Sequence, residues 1–191
     1  MSSKNTAKAM NEAVRIVNHL ISANEYDKPP AAVFDIDETL LLNDDSADCY
    51  LFRGNKPVLK AARDLHRAGC TIFAVTARTE SPTTEIFARN QLKKLDCPPI
   101  EHIYAFPEHR SVEGTASQFK WDARQAISDT HTVLINTGDQ CSDHFIMPPI
   151  APQTVAKFAQ SSFKPHKTYL MVVKDDAAKL SVKLPNHYVV A

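Results

Sequence analysis

The chain has 191 residues and 43% apolar content, which suits one domain with a single α/β core. Lys plus Arg and Asp plus Glu stand at 22 each, so the net charge is zero and there is no basic footprint of a dedicated nucleic-acid binder. No apolar run reaches membrane-spanning length, and the polar start Met1-Ser2-Ser3-Lys4-Asn5 does not lead into a signal-peptide core, so a soluble intracellular protein is expected.

Residues 6–22 carry a helical stripe of Met10, Ala13, Val14, Val17, Leu20 and Ile21, within an N-terminal helical extension over 1–28. Pro29 and Pro30 deliver the chain into Ala31–Ile36, a short apolar run of the kind that forms a fully buried strand. Asp35 and Asp37 stand where that strand should end, at the edge where open α/β sheets keep their ligands. Two nearby carboxylates repel unless a cation intervenes, and a hard ion such as Mg²⁺ takes oxygen ligands. The competing reading is a solvated turn, with Thr39 capping a following helix.

Residues 43–48 form a polar, acid-rich stretch. Pro57, with Asn55 as a possible cap, starts a helix with Val58, Ala61, Ala62 and Leu65 on its buried face and Gly69 at its end. Thr71–Val75 is a second buried strand, running into Thr76-Ala77-Arg78. Ser81 and Pro82 open a helix to about Leu95, with Ile86, Phe87 and Leu95 expected to face inward. A third strand is expected over His102–Phe106, then a helix over 115–128 with Phe119, Ala123 and Ile127 on one side. The fourth strand, Thr132–Asn136, leads to Gly138-Asp139. After Phe145, prolines at 148, 149, 152 and 165 interrupt the pattern. A short helix near 153–160, a strand over Tyr169–Val173 and a last strand within Lys183–Val190 are expected. The β-α alternation with near-continuous apolar strands predicts a mostly parallel sheet with helices on both faces.

In such a sheet, Asp35 and Asp37, Thr76, the loop after Phe106 and Asp139 meet on one edge. Phosphoryl transfer from a monoester calls for a set of this kind. The substrate is a dianion, so a carboxylate nucleophile needs positive charge beside it. Lys120 is a point charge on the helix before the fourth strand, and Thr76 offers a hydroxyl to a phosphate oxygen. Asp35 would attack phosphorus, and Asp37 would protonate the leaving alcohol and then deprotonate water. Asp139 and Asp143 would hold the metal; their alternative is a pair of turn acids. Cys49, Cys70, Cys97 and Cys141 lack C-x-x-C spacing and read as reduced thiols. The eight histidines show no H-x-x-x-H spacing, and no Walker-type loop occurs.

Asp35-Ile36-Asp37-Glu38-Thr39, Thr76, Lys120 and Gly138-Asp139…Asp143 resemble the four ordered motifs of the haloacid dehalogenase (HAD) superfamily. Finer matches resemble its subfamily IIIB acid phosphatases, the plant vegetative-storage-protein type and the bacterial class B and C enzymes. These are Thr76-Ala77-Arg78-Thr79-Glu80 with Asn90 and Leu92, Phe119-Lys120 with Arg124, Gly138-Asp139-Gln140 with Ser142-Asp143, and Lys183-Leu184-Pro185-Asn186 with Tyr188. The resemblance implies a single Rossmann-like HAD domain with a minimal cap. It implies Asp35 as nucleophile, Asp37 as general acid/base, and Thr76, Ala77 and Lys120 as phosphate-binding. Mg²⁺ would be held by Asp35, the Asp37 backbone carbonyl and Asp139, with Asp143 supporting. The chain departs from the family in a reduced cap or loop over 40–56, in Cys141 where tryptophan is usual, and in an atypical connection over 144–182.

The function so implied is hydrolysis of a small phosphomonoester, such as a nucleotide or sugar phosphate, with no membrane partner. Competing readings are a non-catalytic storage or binding protein, a phosphatase of nucleic-acid ends or phosphoproteins, and a phospho-accepting receiver domain. Retention of Asp35, Asp37, Lys120 and Asp139 argues against storage. A receiver carries its acidic pair and its phosphorylated aspartate on different strands.

Overall fold

The structure is a computed structural model that describes residues 3–43, 52–107, 113–140, 143, 168–175 and 178–185. The described elements run α1 (Ser3–Ser22), β1 (Pro30–Phe34), β2 (Leu41–Asn43), β3 (Phe52–Gly54), α2 (Lys56–Arg67) and β4 (Thr71–Thr79). They continue with α3 (Pro82–Lys94), β5 (Ile103–Phe106), α4 (Glu113–Thr130), β6 (Thr132–Gly138), β7 (Tyr169–Asp175) and β8 (Ala178–Lys183). Six strands make one sheet in the order β5-β4-β1-β6-β8-β7, parallel except for β7, which runs antiparallel to β8 at the edge.

β1 lies inside this sheet, between β4 and β6, and its side chains alternate between two cores. Ala32 and Phe34 join Met10, Val14 and Val17 of α1, Val58 and Leu65 of α2, and Leu134. Ala31 and Val33 join Phe73, Val75, Val133, and Ala123 and Ile127 of α4. A strand buried on both faces must be apolar at every position, which is why Ala31–Phe34 reads as an unbroken run. The parallel connections place the carboxyl ends of β1, β4, β5 and β6 on one edge.

Helix boundaries follow local chemistry. Asn55 occupies the cap position of α2 but makes no side-chain capping bond, and Pro57 supplies the pre-set first turn. Gly69, at φ 99°, takes the left-handed conformation that ends the helix. Ser81 caps α3 by accepting a bond from the Thr84 backbone N–H at 3.0 Å.

Four sequence expectations change. In α3, Ile86 and Phe87 are 61% and 54% exposed, and the inward residues are Ala88 and Leu92, with Leu95 packed beside them. Ala88 and Leu92 stand four apart on one face, and that spacing rotates Ile86 and Phe87 away from it. β4 runs on to Thr79, past an irregularity, and pairs there with Phe106. β8 is a strand where a connection was expected, and its buried Ser181 and Lys183 hide it from an apolar pattern search; the strand expected within Lys183–Val190 falls mostly on residues outside those described. Thr39 caps no helix: its hydroxyl is buried, and the chain continues into the β2–β3 hairpin. β7 and β8 occupy the end of the stretch read as an atypical connection. The helix expected near 153–160 lies outside the described residues, as do Cys49 and Cys141. Cys70 and Cys97 are free thiols. No helix among the described residues is long and apolar enough to cross a membrane.

Candidate active site

The site starts where β1 stops. The Asp35 N–H still donates to the Thr137 carbonyl at 2.9 Å, so β6 fixes its backbone. The chain then turns sharply: the Leu41 N–H donates to the Ile36 carbonyl at 2.9 Å, and Glu38 takes a left-handed φ of 54°. Backbone strain of that kind is held only by surrounding contacts. Here the Glu38 carboxylate accepts from the Asn43 N–H at 3.0 Å and clamps the turn to β2.

Asp35 is buried, and β6 brings two further acids to it. Oxygen atoms of Asp35, Asp139 and Asp143 all lie within 4.8 Å of one another, and all three residues are buried. From α4, the Lys120 ammonium reaches Asp143 Oδ1 at 2.6 Å and Asp35 Oδ1 at 3.4 Å. Burial alone would lower the Lys120 pKa, but Asp143 and Asp35 outweigh it and hold the ammonium above the ordinary lysine range. Arg124, one turn further along α4, is also buried; burial lowers its pKa, opposed by Asp143 and Asp35.

The acids still outweigh this positive charge. Burial pushes the Asp35 carboxyl up to about 7, with Lys120 opposing and Asp143 adding to the rise. Burial likewise pushes Asp139 up to about 8, reinforced by Asp143 and Asp35. Three buried carboxylates, repelling at this distance and offering only oxygen donors, fit a hard divalent cation.

Further hydrogen bonds hold the cluster in shape. Asp143 Oδ2 accepts from the Gln140 N–H at 2.8 Å, the Asp143 carbonyl accepts from Asn136 Nδ2, and Gln140 Nε2 donates to Asp139 Oδ2 at 3.0 Å. Lys183, at the end of β8, donates to the Asp139 and Leu184 carbonyls at 3.1 and 3.0 Å. Gly138 is required for a steric reason, because a Cβ there would lie inside contact distance of the Asp143 side chain.

Asp37 lies apart from the cluster, with its side chain 38% exposed. Its two oxygens accept from Arg78 Nε at 2.8 Å and Arg78 Nη2 at 2.7 Å. Thr76, buried at the bend of β4, accepts from the Arg78 N–H at 3.2 Å, and Ala77 is exposed beside it. The structure thus gathers Asp35, Asp139, Asp143 and Lys120, while Asp37 and Thr76 meet through Arg78. Sequence reading assigned no role to Arg78, Asn136 or Lys183. Arg78 had a signal, because it directly follows the Thr76-Ala77 pair, expected to bind phosphate, at a strand end. Lys183 opened the terminal Lys183-Leu184-Pro185-Asn186 motif of the resemblance without a role attached to it, and Asn136 had no signal, being a polar residue in a buried strand.

Comparison with solved structures gives a consistent picture. A class C acid phosphatase from Bacillus anthracis matches over 97% of this chain and 80% of its own, at 16% identity and a TM-score of 0.63. The tungstate-bound form of class C acid phosphatase from Bacillus anthracis matches over 98% and 80%, at 15% identity and a TM-score of 0.59. A chain of the Pnkp1/Rnl/Hen1 RNA repair complex matches over 60% of this chain and 37% of its own, at 15% identity and a TM-score of 0.51. No family model and no curated protein sequence matches the chain. The chain shares the fold of these class C acid phosphatases, a mostly parallel sheet in the order described above.

Proposed function

We propose that the protein is a Mg²⁺-dependent phosphomonoester hydrolase acting through an aspartyl phosphate on Asp35. The observation that carries this reading is the buried Asp35-Asp139-Asp143 cluster neutralised in part by Lys120, with a second acid, Asp37, held two residues on and outside it. The acid-phosphatase fold supports it.

Asp35, Asp139 and Asp143, with the Asp37 backbone carbonyl, would hold Mg²⁺. Bound there, the ion offsets the negative charge of the carboxylates and of the phosphate oxygens. Lys120 supplies a fixed positive charge beside the nucleophile, and the Thr76 hydroxyl and Ala77 N–H receive the remaining phosphate oxygens. In the first step an Asp35 oxygen attacks phosphorus, the bond to the leaving oxygen breaks, and protonated Asp37 gives that oxygen its proton. In the second step Asp37 takes a proton from water as the water oxygen attacks phosphorus. The bond to Asp35 breaks, and inorganic phosphate and the Asp35 carboxylate are released.

A small phosphomonoester such as a nucleotide or sugar phosphate is the proposed substrate, because zero net charge offers no steering toward a polyanion. A storage role is disfavoured by the complete acid and lysine set.

The test is hydrolysis of an aryl phosphate with Mg²⁺ and with chelator, beside Asp35→Asn. Turnover that requires the metal and vanishes in the variant is expected. Turnover that survives Asp35→Asn would remove the covalent mechanism. A wild-type protein inert on aryl, alkyl, nucleotide and sugar phosphates, with Mg²⁺ bound, would overturn the reading.

A further inference from the structure

We infer that Arg78 is the positioning residue for the acid/base carboxylate of Asp37, an inference that rests on the phosphatase reading. Asp37 leaves the buried cluster on a tight turn, and its side chain is 38% exposed. A carboxylate so placed is free to rotate into water unless something fixes its plane. Arg78 does so with two parallel bonds of 2.8 and 2.7 Å, one to each oxygen. A bidentate guanidinium sets both the position and the orientation of the carboxylate.

The guanidinium is anchored in turn. Its Nη1 donates to Gln91 Oε1 of α3 at 3.0 Å, and its charge sits 5.5 Å from the centre of the Phe52 ring on β3. Its own N–H donates to Thr76 Oγ1. Two elements, β3 and α3, therefore hold one side chain whose shortest bonds go to Asp37, and the backbone bond to Thr76 fixes the strand end that carries it. A proton donor helps only when it is aimed at the leaving oxygen. Arg78 acts on the reaction through that aim.

Leaving groups separate this role from phosphate binding or simple packing. An alkoxide must be protonated as it departs, whereas 2,4-dinitrophenolate leaves without a proton. For both esters kcat/KM reports phosphoryl transfer to Asp35, the step in which the leaving oxygen departs. For Arg78→Met, kcat/KM on an alkyl phosphate is expected to fall by about 10²-fold or more, the scale of general-acid catalysis. On dinitrophenyl phosphate the fall is expected to stay below about 5-fold, an allowance for lost packing. Arg78→Lys, which offers a single point of attachment, should lie between wild type and Arg78→Met on the alkyl ester, and it replaces Arg78→Met if that variant does not fold. Gln91→Leu should show the same selective loss on a smaller scale.

Equal losses on both esters would assign Arg78 to phosphate binding or to packing and overturn the inference. Unchanged rates on both would overturn it as well. A wild-type protein active on dinitrophenyl phosphate with none of these selective losses defeats the Arg78 role alone. A wild-type protein inert on both esters defeats the phosphatase reading, and the inference falls with it.

Discussion

Replacing Lys120 with Met tests whether the buried acids depend on a single ammonium for their charge. Lys120 is 3% exposed, and its ammonium lies 2.6 Å from Asp143 and 3.4 Å from Asp35. Removing one partner of a buried ion pair destabilises by about 3–5 kcal/mol, because buried charge is left under-compensated. In a protein of this size each kcal/mol shifts Tm by about 2–4 °C, so a fall of about 6–20 °C is expected at pH 8 in chelator. The loss must depend on pH. Asp35 and Asp139 have folded-state values pushed up to about 7 and about 8, above the ordinary 3.8. The folded state therefore binds more protons than the unfolded state between about pH 4 and 8, and metal-free stability is greatest below this window and declines as pH rises through it. Without Lys120 the two values move higher still, so the decline should steepen. At pH 5, with Asp35 and Asp139 protonated, the penalty should be smaller than at pH 8. Thermal melts of both proteins from pH 5 to 8.5 in chelator measure this. A Tm difference under about 2 °C, or one that does not change with pH, would refute the electrostatic account of the cluster.

Gly138→Ala should push the Asp143 carboxylate off its position, costing about 1–3 kcal/mol of overpacking and most of the turnover, read by urea denaturation and phosphatase assay; normal activity would refute the steric claim. On α3, Leu92→Ala should cost about 2–5 kcal/mol and Phe87→Ala within about 0.5 kcal/mol. Comparable losses in the two would restore the inward reading of Phe87. Burial raises the Cys70 and Cys97 thiols to about 12, so peptide mapping after a thiol-selective alkylating reagent at pH 8 should find both nearly unmodified in the native protein and labelled in denaturant.

Legibility in the sequence followed how each residue earns its place. Asp35 and Asp139 were readable because charged residues at the ends of apolar runs have little structural reason to be there, and Lys120 because it stands on the helix that leads into β6. β1, β4 and β6 were readable as unbroken apolar segments. The inward face of α3 was misread because a large side chain outweighs a small one in a periodicity search, whereas the core accepts Ala88 and leaves Phe87 outside. β8 was missed because Ser181 and Lys183 are buried for their polar contacts rather than in spite of them. The bidentate contact of Arg78 with Asp37 spans 41 residues of chain, and no local pattern encodes a contact of that range.

The sheet order carries a consequence for synthesis. β6, with its run Val133-Leu134-Ile135, is flanked by β1 on one side and by β8 on the other, and β8 begins 40 residues after β6 ends. As the chain emerges from the ribosome, β1, β4, β5 and β6 can assemble while one side of β6 still shows unpaired backbone beside its most apolar segment. Such an edge invites pairing with neighbouring nascent chains. It is closed only when Leu180–Lys183 is delivered, and the same few residues bring the ammonium that grips the Asp139 carbonyl. The same late pairing therefore closes the exposed edge of β6 and completes the cluster at its carboxyl end.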